Sequence, residues 1–208
     1  MPILLGALLL AFGVMLLFGA TEFDRGLLLL AAESSPQLKA LGGIAAAASS
    51  VPVLLAALAA GGGALAVQRA WRSLGLLVIA AAGLIFFRVL TEASAGFRPN
   101  LTDNILPTQQ PAFPDPAAAG GAAVWVALAL LLTRHRPWRG LALFAAATLA
   151  MAAGLGRVVT GVAWPTDVIG GWAIGLAWTL LPLWLAGEDL GDGAPRPKNV
   201  RPQPETAG

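Results

Sequence analysis

The stretch 156–172, GRVVTGVAWPTDVIGGW, lies between two apolar runs. It places Arg157 and Asp167 at the edges of hydrophobic sequence. A charge there is costly to desolvate and usually has a partner or a task. The stretch reads as a loop, 156–168, joining one span that ends near residue 155 to another that begins near residue 168.

The composition around that loop is that of a membrane protein. The 208 residues are 57% hydrophobic and 12% charged, against roughly 45–50% and about 25% in a soluble domain. Most of the length goes into spans, so one domain is expected. There is no cysteine, which excludes a disulfide, a thiolate metal site and a thiol nucleophile. One histidine excludes a multi-histidine metal centre. No metal and no cofactor are expected. The net charge is +2, and no basic run has the density that nucleic acid requires. The wealth of Ala, Gly and Leu suits helices that approach closely.

In chain order, residues 2–20 form an uncharged apolar run long enough for a span. Residues 21–43 read as a loop with a short interfacial amphipathic helix. Further spans are expected at 44–67, 73–90, 117–133, 140–155 and 168–186. A polar, proline-rich connection fills 91–116. The expected fold is therefore an all-α integral membrane bundle of six transmembrane helices over residues 1–186. The tail, 187–208, has almost no large apolar residue and is expected to be disordered and cytoplasmic. The seven tryptophans are expected mostly as anchors at span ends.

With the amino terminus inside, the inside segments hold Arg69, Arg72, Arg134, Arg136, Arg139, Arg196, Lys198 and Arg201. The outside segments hold Arg25, Lys39, Arg88, Arg98 and Arg157. That excess of inside cations favours this orientation, with both termini cytoplasmic. A bacterial inner membrane is the expected location.

Three stretches resemble the signatures of the type 2 phosphatidic acid phosphatase superfamily. Its third signature reads Ser-Arg, five residues, His, three residues, Asp. Here Gly156, Arg157, Ala163 and Asp167 stand at those places. The first reads Lys, six residues, Arg-Pro, and is met by Thr91, Arg98 and Pro99, with Arg88 one helical turn earlier. The second reads Pro-Ser-Gly-His, and is met by Pro114, Asp115, Pro116 and Ala117. The resemblance implies the six-helix fold of that superfamily, with the signature loops on one side of the membrane.

The resemblance also implies which residues would do chemistry, and here they are missing. In the family the third-signature His attacks phosphorus, its Asp orients that His, and the second-signature His protonates the leaving oxygen. Ala163 has no lone pair to attack with, and Ala117 no proton to give. His135 lies in the opposite turn, roughly 30 Å of hydrocarbon away. The expectation is a catalytically inactive relative: a structural or accessory subunit, or a lipid-binding protein. Its expected partners are membrane lipids and a protein in a membrane complex, not nucleic acid. Arg88, Arg98 and Arg157 are the candidate phosphate or headgroup ligands. The alternatives are an active lipid phosphatase or phosphotransferase, acting on phosphatidate or an isoprenyl diphosphate through other residues, and a small lipid transporter. Few ionisable residues lie inside the spans, which weighs against transport.

Asp115 carries two further expectations. Followed by Pro116, it reads as the N-cap of a helix. As a carboxylate at the place of the family's Ser, it is also expected to sit where a phosphate would, in a bidentate pair with Arg157 or Arg98. Asp167 is expected to cap the last helix or to pair with an arginine.

Overall fold

The computed structural model of the chain describes residues 2–18, 22–94 and 113–187. Among them are eight helices and no strand. These are α1 (Pro2–Phe18), α2 (Glu22–Ala32), α3 (Pro36–Ala47), α4 (Val51–Val67), α5 (Trp71–Ser94), α6 (Pro116–Leu132), α7 (Arg139–Val159) and α8 (Pro165–Leu185).

The architecture is built around α6. Its sequence, PAAAGGAAVWVALALLL, has no polar face. A helix that is apolar all round belongs inside a bundle, and α6 is buried along nearly its whole length. Helices α4, α5, α7 and α8 pack around it. Small residues set the spacing. A methyl group on Gly175 of α8 would stand 2.2 Å from the Ala119 carbonyl oxygen, and one on Gly171 2.6 Å from that of Asp115. The two backbones therefore touch, as small residues permit in a dry bundle. Helix α1 lies along α8, and its Phe12 ring sits 5.1 Å from Phe113, just before α6.

Several boundaries differ from the sequence reading, each for a local reason. Of the stretch 21–43, the described residues 22–43 are mostly helical: α2 fills the first half, and Ser35 caps α3 by accepting from the Leu38 N–H at 3.2 Å. Lys39 Nζ donates to the Ala32 carbonyl at the end of α2, at 2.8 Å. The second apolar run is two helices, α3 and α4, bent by 41°. At the bend Trp125 Nε1 donates to the Ala48 carbonyl at 3.1 Å. Helix α5 continues to residue 94, so Thr91 lies on it. The loop 156–168 shortens to 160–164, because α7 runs on to Val159 and α8 begins at Pro165.

Three helices, α5, α7 and α8, are long and apolar enough to cross a membrane, and the bent pair α3–α4 would make a fourth crossing. Helices α1 and α6, with 17 residues each, are shorter than the ~20 of a full span. The tryptophans divide. Trp71, Trp138 and Trp184 are exposed, as anchors would be. Trp125, Trp172 and Trp178 instead donate their ring N–H to carbonyls of other helices, since an indole N–H surrounded by apolar groups needs a partner within the protein. The tail beyond residue 187 and the segment 95–112 lie outside the described residues.

Two outcomes are expected. Gly175→Ala should destabilise the protein by about 1–3 kcal/mol through overpacking. Gly63→Ala, with nothing within 4 Å, should leave it unchanged or stabilise it by up to about 1 kcal/mol; thermal unfolding in detergent compares the two. Single cysteines at Ser94 and Trp138, in a chain that has none, should label from opposite faces of a sealed vesicle. Labelling of both from one face would overturn the topology.

Candidate functional site

The carboxyl end of α5 and of α7 and the amino end of α6 and of α8 meet at one end of the bundle. Residue Thr91 on α5 places its Oγ1 2.8 Å from the Phe87 carbonyl and 2.6 Å from the Pro114 carbonyl. A single hydroxyl proton serves one of these at a time. The Asp115 N–H donates to the Asp167 carbonyl at 3.0 Å, tying the start of α6 to the first turn of α8.

Helix α7 ends here for a reason visible in its backbone. Gly161 takes φ 70°, where a Cβ is disfavoured. The Gly161 N–H donates to the Val158 carbonyl at 2.9 Å, and the Val162 N–H to the Arg157 carbonyl at 2.8 Å. This is the Schellman ending of a helix. It fixes Arg157 in the last turn of α7, where the helix dipole favours a cation.

From there Arg157 reaches Asp115. Its Nε and Nη2 both donate to Oδ2, at 3.0 and 2.8 Å. The other carboxylate oxygen, Oδ1, accepts the Ala118 N–H at 2.7 Å and so caps α6. Asp115 is thus both cap and counter-ion. The pair is not the two-oxygen fork expected from sequence, because Oδ1 is committed to the cap. The side chains are 4% exposed at Asp115 and 21% at Arg157. Pro116 at the first helical position has no N–H to offer.

The remaining motif positions divide. Ala163 is buried with Ala118 and Val168 in an apolar cluster, against which Val158 and Trp172 pack. Ala117 is half-buried in the first turn of α6. Asp167 is buried in the first turn of α8, a favourable place for a negative charge. Gly156, at the family's Ser position, crosses Gly42 of α3. A methyl on Gly156 would stand 2.3 Å from the Gly42 carbonyl oxygen, so a side chain here would push α3 away. Arg88 is not brought to the site: its side chain is 79% exposed and pairs with Glu92 at 3.1 Å along α5. Arg98 and Pro99 lie outside the described residues.

Sequence reasoning missed Asp24. On α2, it is fully buried. Its Oδ1 accepts the Thr166 N–H at 3.0 Å and its Oδ2 the Thr166 hydroxyl at 2.5 Å. Trp164 at the N-cap of α8 cannot cap with its side chain, so an N–H of the first turn needs an outside acceptor. The signal was a helix start lacking Ser, Thr, Asp or Asn at its cap; nothing in the sequence said which acid, 142 positions away, would serve.

These observations meet the comparisons with known proteins. The model of the PAP2 superfamily matches residues 72–189, a range that contains all three motif stretches, and the chain belongs to that superfamily. Among solved structures, it is similar to a transmembrane PAP2-type phosphatidylglycerolphosphate phosphatase from Bacillus subtilis. The TM-score is 0.76 at 22% identity, over 95% of this chain and 98% of that one. At that identity the likeness shows the fold: an all-α integral membrane protein of the PAP2 type. No curated protein matches the sequence.

The ion pair makes a quantitative expectation. Arg157→Ala should cost about 3 kcal/mol, the low end for breaking a buried pair. Asp115→Ala should cost that and about 1 kcal/mol more for the lost cap. The double variant should fall short of the sum by at least ~1 kcal/mol, since the two share one interaction. A thermal or denaturant unfolding cycle in detergent measures this, and strict additivity would contradict the coupling.

Proposed function

We propose that this chain is a catalytically silent member of the PAP2 superfamily, whose phosphate-binding place is filled from within. The observation that carries this reading is the Asp115–Arg157 pair across the amino end of α6. A helix start offers phosphate its free N–H groups and a positive field. Here a carboxylate takes the Ala118 N–H, Pro116 has none to give, and Arg157, the cation at the third-signature Arg position, is already neutralised. The position of the nucleophile, Ala163, is packed in apolar contact. Loss of a hydrolase nucleophile costs ~10⁶ in rate, and phosphate-monoester hydrolysis is among the slowest uncatalysed reactions.

In this reading the site has become structural. It holds α6, α7 and α8 together where an active relative would hold substrate. The protein then serves as a structural or accessory component of a bacterial inner membrane, in contact with lipid and with a partner protein. Arg98 is the remaining candidate for a lipid headgroup. Family membership supports a second reading, an active lipid phosphatase working through other residues.

One assay separates them. Purified protein given phosphatidate or phosphatidylglycerolphosphate should release no more phosphate than Arg157→Ala does. Ala163→His alone should not restore turnover, since Asp115 and Pro116 still occupy the phosphate place. Turnover that disappears in Arg157→Ala would establish the enzyme instead.

A further inference from the structure

At the opposite end of the bundle, α4 and α7 both lean on α6 without closing on each other. The gap is an apolar groove of about 570 Å³, within the roughly 300–1,000 Å³ of small-molecule sites. Its walls are small: Ala57 and Ala64 on α4, Ala142 and Ala145 on α7. Leu128 of α6 forms the floor and Trp138 stands at the mouth. The groove is built in, because α4 is seated on α6 at Gly61, where a methyl would meet Leu128 Cδ2 at 2.3 Å. Alanines on either side cannot bridge what remains.

We infer that this groove holds one acyl chain of an anionic phospholipid, with the phosphate at the arginines of the α6–α7 turn. Length is the first argument. The groove follows α6 from Trp125 to Thr133, about 12 Å at 1.5 Å per residue. That is close to one leaflet of a ~30 Å hydrocarbon core, and far less than a partner helix would need along its whole span. Charge is the second. Thr133 and Trp138 line the groove at the α6–α7 turn, the turn that carries Arg134 and the exposed Arg136 and leads into Arg139. A cationic rim above an apolar slot fits a headgroup carrying negative charge, and Trp138 has the amphipathic ring found at that depth. The groove begins at Trp125, about 15 Å along α6 from Asp115, and the arginines lie about 25 Å from it; the site is separate from the Asp115–Arg157 pair and does not depend on whether the protein is an enzyme.

The test uses the full chain in mild detergent, with phosphatidylglycerol and phosphatidylcholine added at equal concentration and bound lipid counted by native mass spectrometry. Phosphatidylglycerol should be retained preferentially. Arg136→Gln, in an exposed turn, should lower its retention about fivefold, the worth of one arginine near an anionic surface, and leave phosphatidylcholine unchanged. Ala145→Phe, which fills the groove from an exposed wall, should lower retention of both. Equal retention of the two lipids, or retention indifferent to Ala145→Phe, would overturn the inference in favour of unspecific boundary lipid. Cross-linking of two copies through Ala145→Cys that excludes lipid would overturn it in favour of a protein interface.

Discussion

The structure depends on the two-sided use of one carboxylate. Asp115 Oδ1 caps α6, and Oδ2 neutralises Arg157 at the end of α7. Each half needs the other. A buried cap without Arg157 would leave a negative charge in a nearly dry place, and Arg157 without Asp115 would leave a positive one. Either alone is costly; together they fix the angle at which α7 approaches the central helix. The backbone bond from the Asp115 N–H to the Asp167 carbonyl brings α8 into the same arrangement.

A second carboxylate does parallel work. Asp24 caps α8 from outside that helix, through both the N–H and the hydroxyl of Thr166. Two helix starts that lie side by side thus each receive an internal anion. The positive end of a helix attracts an anion such as phosphate. Here the chain supplies those charges itself. Ala163, where the family's third signature reads His, packs in the apolar cluster with Ala118 and Val168.

The two ends of the bundle then differ in kind. One is tied shut by short, charge-assisted hydrogen bonds. The other is joined by two arginine-bearing turns, 69–72 and 134–139, and leaves an apolar groove between α4 and α7. The difference follows from the helix walls. Where glycines face each other or face a backbone carbonyl, as at Gly42, Gly156, Gly171 and Gly175, helices close completely. Where alanines face alanines across a third helix, they do not.

The sequence by itself determined the class and the membrane setting, and which residue stands at each motif position. Those follow from composition, from apolar run length and from residue identity at fixed spacing, all of which are local quantities. It also determined the cap at Asp115, because Asp followed by Pro and a run of Ala starts a helix within four residues. The tertiary structure decided what the charges do. That Arg157 meets Asp115, that two of its guanidinium nitrogens share one oxygen, that Asp24 serves α8, and that Arg88 turns away to Glu92 are all outcomes of helix rotation and crossing. A helix places side chains every 100° or so, and a shift of one residue in where α7 ends would move Arg157 to another face. That ending is set by Gly161 and the two bonds of its turn, and the crossing by glycines whose partners lie on other helices. Such contacts are not written in any single stretch of the chain.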